Sequence, residues 1–152
     1  MVCGSRVHLF DADAVSSVAQ LVALCHEARS VAAVAARLSR RVVGLDSVTL
    51  CAPLPRHCNV FGIGKNYREH VKEVDSTLPG ISSAATPEHP IVFCKAPGSV
   101  CGPGDAIVLP PHSQQVDYEG ELGVVIGRSG RHIPATAWRD HVFGYTVLND
   151  VR

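Results

Sequence analysis

The chain has 152 residues, of which 46% are apolar types and 18% are charged, enough for one ordinary domain with a real core and too little charge for a disordered chain. Fourteen Lys and Arg balance fourteen Asp and Glu. With no basic excess to engage phosphates or an anionic surface, neither nucleic acid nor a membrane is expected as a partner. The most apolar stretch, residues 15–24, is interrupted by Ser16, Ser17 and Gln20 and is too short to span a bilayer.

Residues 1–55 are rich in Ala and Val and carry helical periodicity. Asp13 is a candidate N-cap for a helix whose apolar stripe is Val15, Val18, Leu21, Val22 and Cys25. Ser30 is a candidate cap for a second helix with Val31, Val34, Ala35 and Leu38 on one face, and Arg37, Arg40 and Arg41 suit its C-terminus. A strand is then predicted from Val42 to Cys51. Residues 14–41 also carry the Arg and Ser of a mitochondrial presequence, but Asp11, Asp13 and Glu27 argue against one. Without a secretory signal, a cytoplasmic location is expected, with the mitochondrial matrix as the alternative. The six cysteines (3, 25, 51, 58, 94 and 101) form no CxxC and read as reduced, mostly buried thiols.

Pro53 and Pro55 mark the join to residues 56–152, a second domain of short strands. The strands are predicted at Asn59–Ile63, Ile91–Lys95, Ala106–Leu109, Val116–Gly127 and Val142–Leu148. Short helical turns are predicted around Tyr67–Val74 and Ala135–His141. Segment 76–90 reads as a mobile loop and candidate lid. The fold class is thus α+β and mostly β, a set of strands preceded by a small N-terminal α/β segment.

The most informative stretch is Asp117-Tyr118-Glu119-Gly120-Glu121-Leu122-Gly123-Val124-Val125-Ile126. On a strand, Glu119 and Glu121 project from one face, and Leu122, Val124 and Ile126 from the other, which is expected to face the core. Two carboxylates so placed repel, and a hard divalent cation (Mg²⁺, Mn²⁺ or Ca²⁺) between them would remove that cost. The alternative is a solvated strand face. Asp150, at the end of the apolar run 142–148, could be a third ligand or a turn residue beside Asn149.

A second cluster is Gly62-Ile63-Gly64-Lys65-Asn66-Tyr67-Arg68-Glu69-His70-Val71-Lys72-Glu73. In a helical turn His70 and Glu73 share a face, where the carboxylate would orient the imidazole and raise its basicity so that the pair could deprotonate water. A plain surface contact is the alternative. Lys95 could face a ligand or solvent. The other histidines show no ligand spacing, and neither a P-loop nor a dinucleotide fingerprint is present.

In order and spacing, these segments resemble the fumarylacetoacetate hydrolase family over residues 59–152. The matching pieces are Gly62–Tyr67 with His70 and Glu73, Pro90–Lys95, Gly104-Asp105 with Ile107 and Pro110, Asp117–Leu122 with Val125–Gly127, and Gly144–Thr146 with Asn149–Val151. The resemblance implies a mixed β-roll with short helices, a homodimer, and a Mg²⁺ or Mn²⁺ site. It makes Glu119, Glu121 and Asp150 the metal ligands and His70 with Glu73 the water-activating dyad.

It further implies a metal-dependent hydrolase or lyase that splits C–C bonds of 2-oxo or 2,4-dioxo acids, of the acylpyruvase or oxaloacetate decarboxylase type. The alternative on the same scaffold is an isomerase of hydroxymuconate- or heptadienedioate-type dienoates. Ile63 stands where the larger hydrolases carry an extra acid, which favours the acylpyruvase-like branch. In the family the Asn-Asp motif leads into a polar stretch and further strands that supply a lysine. Here Arg152 is the last residue, so the resemblance implies an incomplete roll: a C-terminally truncated chain, strands supplied by another chain, or a non-catalytic remnant.

Overall fold

The computed structural model describes residues 1–54, 60–67, 87–96 and 98–152. The chain divides into two compact units, one formed by Met1–Cys51 with Gly102–Arg152 and the other by Ala52–Cys101. The domain boundary expected at 55/56 lies outside the described residues, as does Cys58.

In the first unit, strand β1 (Val2–Cys3) pairs antiparallel with β2 (Arg6–Phe10), which pairs antiparallel with β3 (Ser39–Gly44). Two helices connect β2 to β3: α1 (Val18–Ala28) and α2 (Val31–Leu38). Ser17, not Asp13, caps α1, its side chain accepting from the Gln20 N–H at 3.1 Å. The Gln20 side chain accepts in return from the Ser16 backbone and hydroxyl, and this reciprocal set outcompetes a start at Asp13. Ser30 caps α2 as expected, accepting from the Ala33 N–H. Arg29 between the helices takes a left-handed conformation (φ 50°) that reverses the chain. Arg40 and Arg41 lie on β3 and not in a helix; Arg40 pairs with Asp11 at 3.3 Å across an exposed surface.

The short strands β1 and β2 were not foreseen, having too few residues for a period to show. Strand β3 begins and ends earlier than the predicted 42–51. Its partner ends at the Arg6–Gly44 pair, and the Ser47 hydroxyl donates to the Gly44 carbonyl, turning 45–47 into a single 3₁₀ turn. Among the described residues the buried apolar side chains are few: Val7, Cys25, Val34 and Ala35, of which Val34 is the most fully enclosed. Burial pushes the Cys25 thiol pKa up. The expectation of mostly buried cysteines is corrected, since Cys3, Cys51, Cys94 and Cys101 are exposed. No single described helix is long and apolar enough to cross a membrane.

The first unit also holds the hairpin of β6 (Gly120–Ile126) and β7 (Val142–Asn149), paired antiparallel from Gly120–Asn149 to Ile126–Val142 with one bulge beside Ile126. The connection carries a 3₁₀ turn at Trp138–Asp140, inside the predicted 135–141. Helix α1 reaches this end of the hairpin through His26, whose Nε2 lies 2.9 Å from the Asp140 carbonyl oxygen. Gly127 allows that approach, because a Cβ there would come within 2.6 Å of His26 Nδ1. His141 is similarly tied, through Nδ1, to the Arg128 carbonyl at 2.9 Å.

The second unit contributes β4 (Val60–Gly64) and β5 (Ile91–Lys95), paired antiparallel with Gly62 opposite Phe93. The Phe93 ring lies over Gly62, where a Cβ would collide with it. Residues 106–109, predicted as a strand, form none: Val108 is 87% exposed, and Pro110 and Pro111 bring no N–H to a ladder.

Truncating Val34 to Ala is expected to lower stability by about 1.5–2.5 kcal/mol, read by chemical denaturation, because it empties the best-buried site of the helical pair. In a timed thiol-alkylation experiment on the native chain, Cys25 is expected to react last among the described cysteines, being both enclosed and held protonated.

Candidate functional site

The β6–β7 ladder continues beyond the two strands through further backbone hydrogen bonds. The Asp150 N–H donates to the Glu119 carbonyl at 2.8 Å, and Asp117 and Arg152 exchange both their N–H···O bonds, at 2.8 and 3.1 Å. With Glu121 opposite Leu148 and Gly120 opposite Asn149, Glu119 stands opposite Asp150 and Asp117 opposite Arg152. Directly opposed residues of an antiparallel pair share a face, and so do residues two apart. Glu119, Glu121 and Asp150 therefore occupy one face, separated by about 30 residues of chain yet adjacent in register.

A backbone restraint holds Glu119 in place from the side. The Asn149 side-chain oxygen accepts from the Glu119 N–H at 3.1 Å. The Glu119 carboxylate is turned toward Arg152, with Nε to Oε1 at 3.0 Å. All three acids are partly buried. Among the described residues no three His, Cys, Asp or Glu side chains stand close enough together to hold an ion as they lie. The donor set is nonetheless entirely carboxylate and presented from adjacent positions, which suits a hard divalent cation. Gly123 is buried between the strands, where a Cβ would meet Thr146 at 2.8 Å and Leu148 at 3.1 Å.

The opposite face departs from expectation. Leu122 and Ile126 are each 61% exposed and Val124 is 50% exposed, so these residues do not form a core. Their alternation with the acids holds. Tyr145 and Val147, their partners on β7, are exposed as well.

His70 and Glu73 lie outside the described residues, as does most of the segment 76–90. What precedes the dyad is described: β4 ends at Gly64, and Lys65 takes a left-handed turn (φ 55°) into Asn66 and Tyr67. Lys95 leans toward the Phe93 ring, its Nζ 6.0 Å from the centroid. Two residues that matter here escaped sequence reasoning. Asn149 restrains Glu119, and Arg152 reaches it from two residues beyond Asp150. The period-2 alternation that linked the two glutamates extends to both strands and would place Arg152 on the acid face once the register is known.

Residues 59–152 match the family model described as "Fumarylacetoacetate (FAA) hydrolase C-terminal". The chain belongs to the fumarylacetoacetate hydrolase family. It is 48% identical over 111 residues to "Oxaloacetate tautomerase YisK" of Bacillus subtilis, a match covering 70% of this chain and 34% of that protein. It is 39% identical over 146 residues to the human "Oxaloacetate tautomerase FAHD2A, mitochondrial", covering 96% of this chain and 44% of the relative. Among solved structures, the "putative HpcE protein" from Mycobacterium smegmatis superposes with a TM-score of 0.67 at 31% identity, over 99% of this chain and 51% of that one. The chain thus spans about a third to a half of the length of these relatives. Its α+β, mostly β architecture is that of a portion of the fumarylacetoacetate hydrolase fold.

Replacing Gly123 by Val is expected to destabilise the hairpin by about 1–3 kcal/mol, visible as a lowered Tm, since the added side chain must displace Thr146 and Leu148. Asn149→Ala is expected to speed hydrogen exchange at the Glu119 amide with little change in Tm, whereas Asn149→Asp, which keeps the acceptor, preserves protection.

Proposed function

We propose that this chain carries the metal-binding half of a site that enolises 2-oxo acids, with Glu119, Glu121 and Asp150 as ligands of Mg²⁺ or Mn²⁺. The observation that carries the reading is the hairpin register, which aligns three carboxylates on one face. A divalent cation held there would polarise a 2-oxo carboxylate and stabilise the enolate that forms from it. The first candidate reaction is keto–enol tautomerisation of oxaloacetate, the activity for which the Bacillus and human relatives are named.

The chain's own contributions follow from residue type and placement. The three acids supply negative charge from paired backbone, Glu121 on β6 and Glu119 and Asp150 just beyond the two strands, so a cation held there would be oriented by that pairing. His70 is the group that moves the proton at the carbon next to the oxo group, and Glu73, three residues on in the sequence, is its carboxylate partner. Tautomerisation needs only that proton to move between carbon and oxygen. Decarboxylation of oxaloacetate, which releases CO₂, and cleavage of acylpyruvates, in which water attacks the 4-carbonyl and the acyl group leaves as a carboxylic acid, each break a C–C bond and leave the enolate of pyruvate. Tautomerisation instead gives the enolate of the intact substrate; a chelated 2-oxo carboxylate would stabilise either. The hydrolase or lyase expected from the resemblance is thus a neighbouring outcome of the same chemistry.

The test follows the enol absorbance of oxaloacetate with Mn²⁺ while pyruvate is measured by a coupled dehydrogenase. Accelerated enol decay without pyruvate supports the tautomerase, and matching pyruvate release selects the decarboxylase. In either case Glu121→Gln and excess EDTA are expected to lower the rate by about 100-fold or more, the usual effect of removing a metal-ion contribution. No acceleration by folded protein, with acetylpyruvate also left intact, would refute the reading.

A further inference from the structure

Arg152 is the sole Lys or Arg within 117–126 and 142–152, and the register places it on the face that carries Asp117, Glu119, Glu121 and Asp150. Its location does not depend on its long side chain, because its backbone exchanges two hydrogen bonds with Asp117 at 2.8 and 3.1 Å. From there its Nε sits 3.0 Å from Glu119 Oε1. The two partners differ in exposure: the Glu119 side chain is 25% exposed and that of Arg152 is 58% exposed. The carboxylate is the enclosed partner, which benefits from a counter-charge. The guanidinium can turn back into water at little cost.

We infer that Arg152 is an internal counter-cation for the acid face, holding Glu119 until a divalent cation displaces it. This role rests on the metal reading above. An oxygen engaged by a guanidinium is withheld from a metal, so the apparent affinity for the ion falls by the fraction of time the pair is closed. An exposed ion pair is weak enough to yield to a divalent ion and strong enough to set a threshold concentration for binding. Arg152 therefore acts as a positioning residue: without the ion it keeps like-charged carboxylates compatible, and it leaves Glu119 when the ion arrives.

The test is Mn²⁺ titration of the 152-residue chain, by calorimetry and by loss of the free Mn²⁺ electron paramagnetic resonance signal. The chains compared are the wild type, R152Q, R152K and the off-face control R131Q. The expected result is Mn²⁺ affinity about two- to fivefold tighter in R152Q, the size of one exposed ion pair, with R152K between and R131Q unchanged. Equal or weaker binding in R152Q, in a wild type that does bind Mn²⁺, would overturn the role of Arg152 and leave the metal site standing. Tightening of the same size in R131Q would also overturn it, by showing a general charge effect. Absence of Mn²⁺ binding in both folded wild type and R152Q would overturn the metal reading and this inference together.

Discussion

The antiparallel register of β6 against β7, extended by Asp150 to Glu119 and by Arg152 to Asp117, is the constraint from which the candidate site follows. Side chains on a strand alternate with a period of two, so a slip of one residue would send every acid of one strand to the opposite face. At the observed register, Glu119 and Asp150 are directly opposed and Glu121 lies one step along, on the same side. Buried Gly123, with Thr146 and Leu148 packed where its side chain would be, favours this pairing over its neighbours. The Asn149 side chain, accepting from the Glu119 amide, restrains the end of the ladder where the acids gather.

The same alternation explains the apolar face. Every residue that does not point with the acids must point away from them, and in β6 those residues are Leu122, Val124 and Ile126. Their exposure sets this hairpin apart from the helical part of the first unit, where α1 and α2 enclose Cys25, Val34 and Ala35. The two parts of that unit are joined at one end of the hairpin by His26, which reaches the Asp140 carbonyl over Gly127. A contact of this kind, an imidazole against a glycine with a hydrogen bond beyond it, depends on the missing Cβ, which explains the residue type at 127.

Electrostatics and register act together at the acid end. Four carboxylates on one face would repel, and the ion pair between Glu119 and Arg152 offsets part of that repulsion. The pair costs little because the guanidinium remains largely in water. Relatives named as oxaloacetate tautomerases share this stretch of chain, and a face of hard oxygen donors is the chemistry on which an enolisation reading draws.

By itself the sequence determined the family, the α+β class, the Ser30-capped helix and the strands around 60–64, 91–95, 120–126 and 142–149. These signals are local: a cap residue, a period of two, or an ordered set of short motifs. It also identified Glu119 and Glu121 as sharing a face, because both fall within one predicted strand, 116–127. Only the tertiary structure decided that Asp150 stands opposite Glu119, that Asn149 restrains it and that Arg152 reaches its carboxylate. Those facts depend on which residue of β7 meets which residue of β6, and no local pattern encodes a pairing across 30 residues of chain. Nor could the period of two say which face would be covered, since alternation distinguishes two sides of a strand without supplying what packs against either.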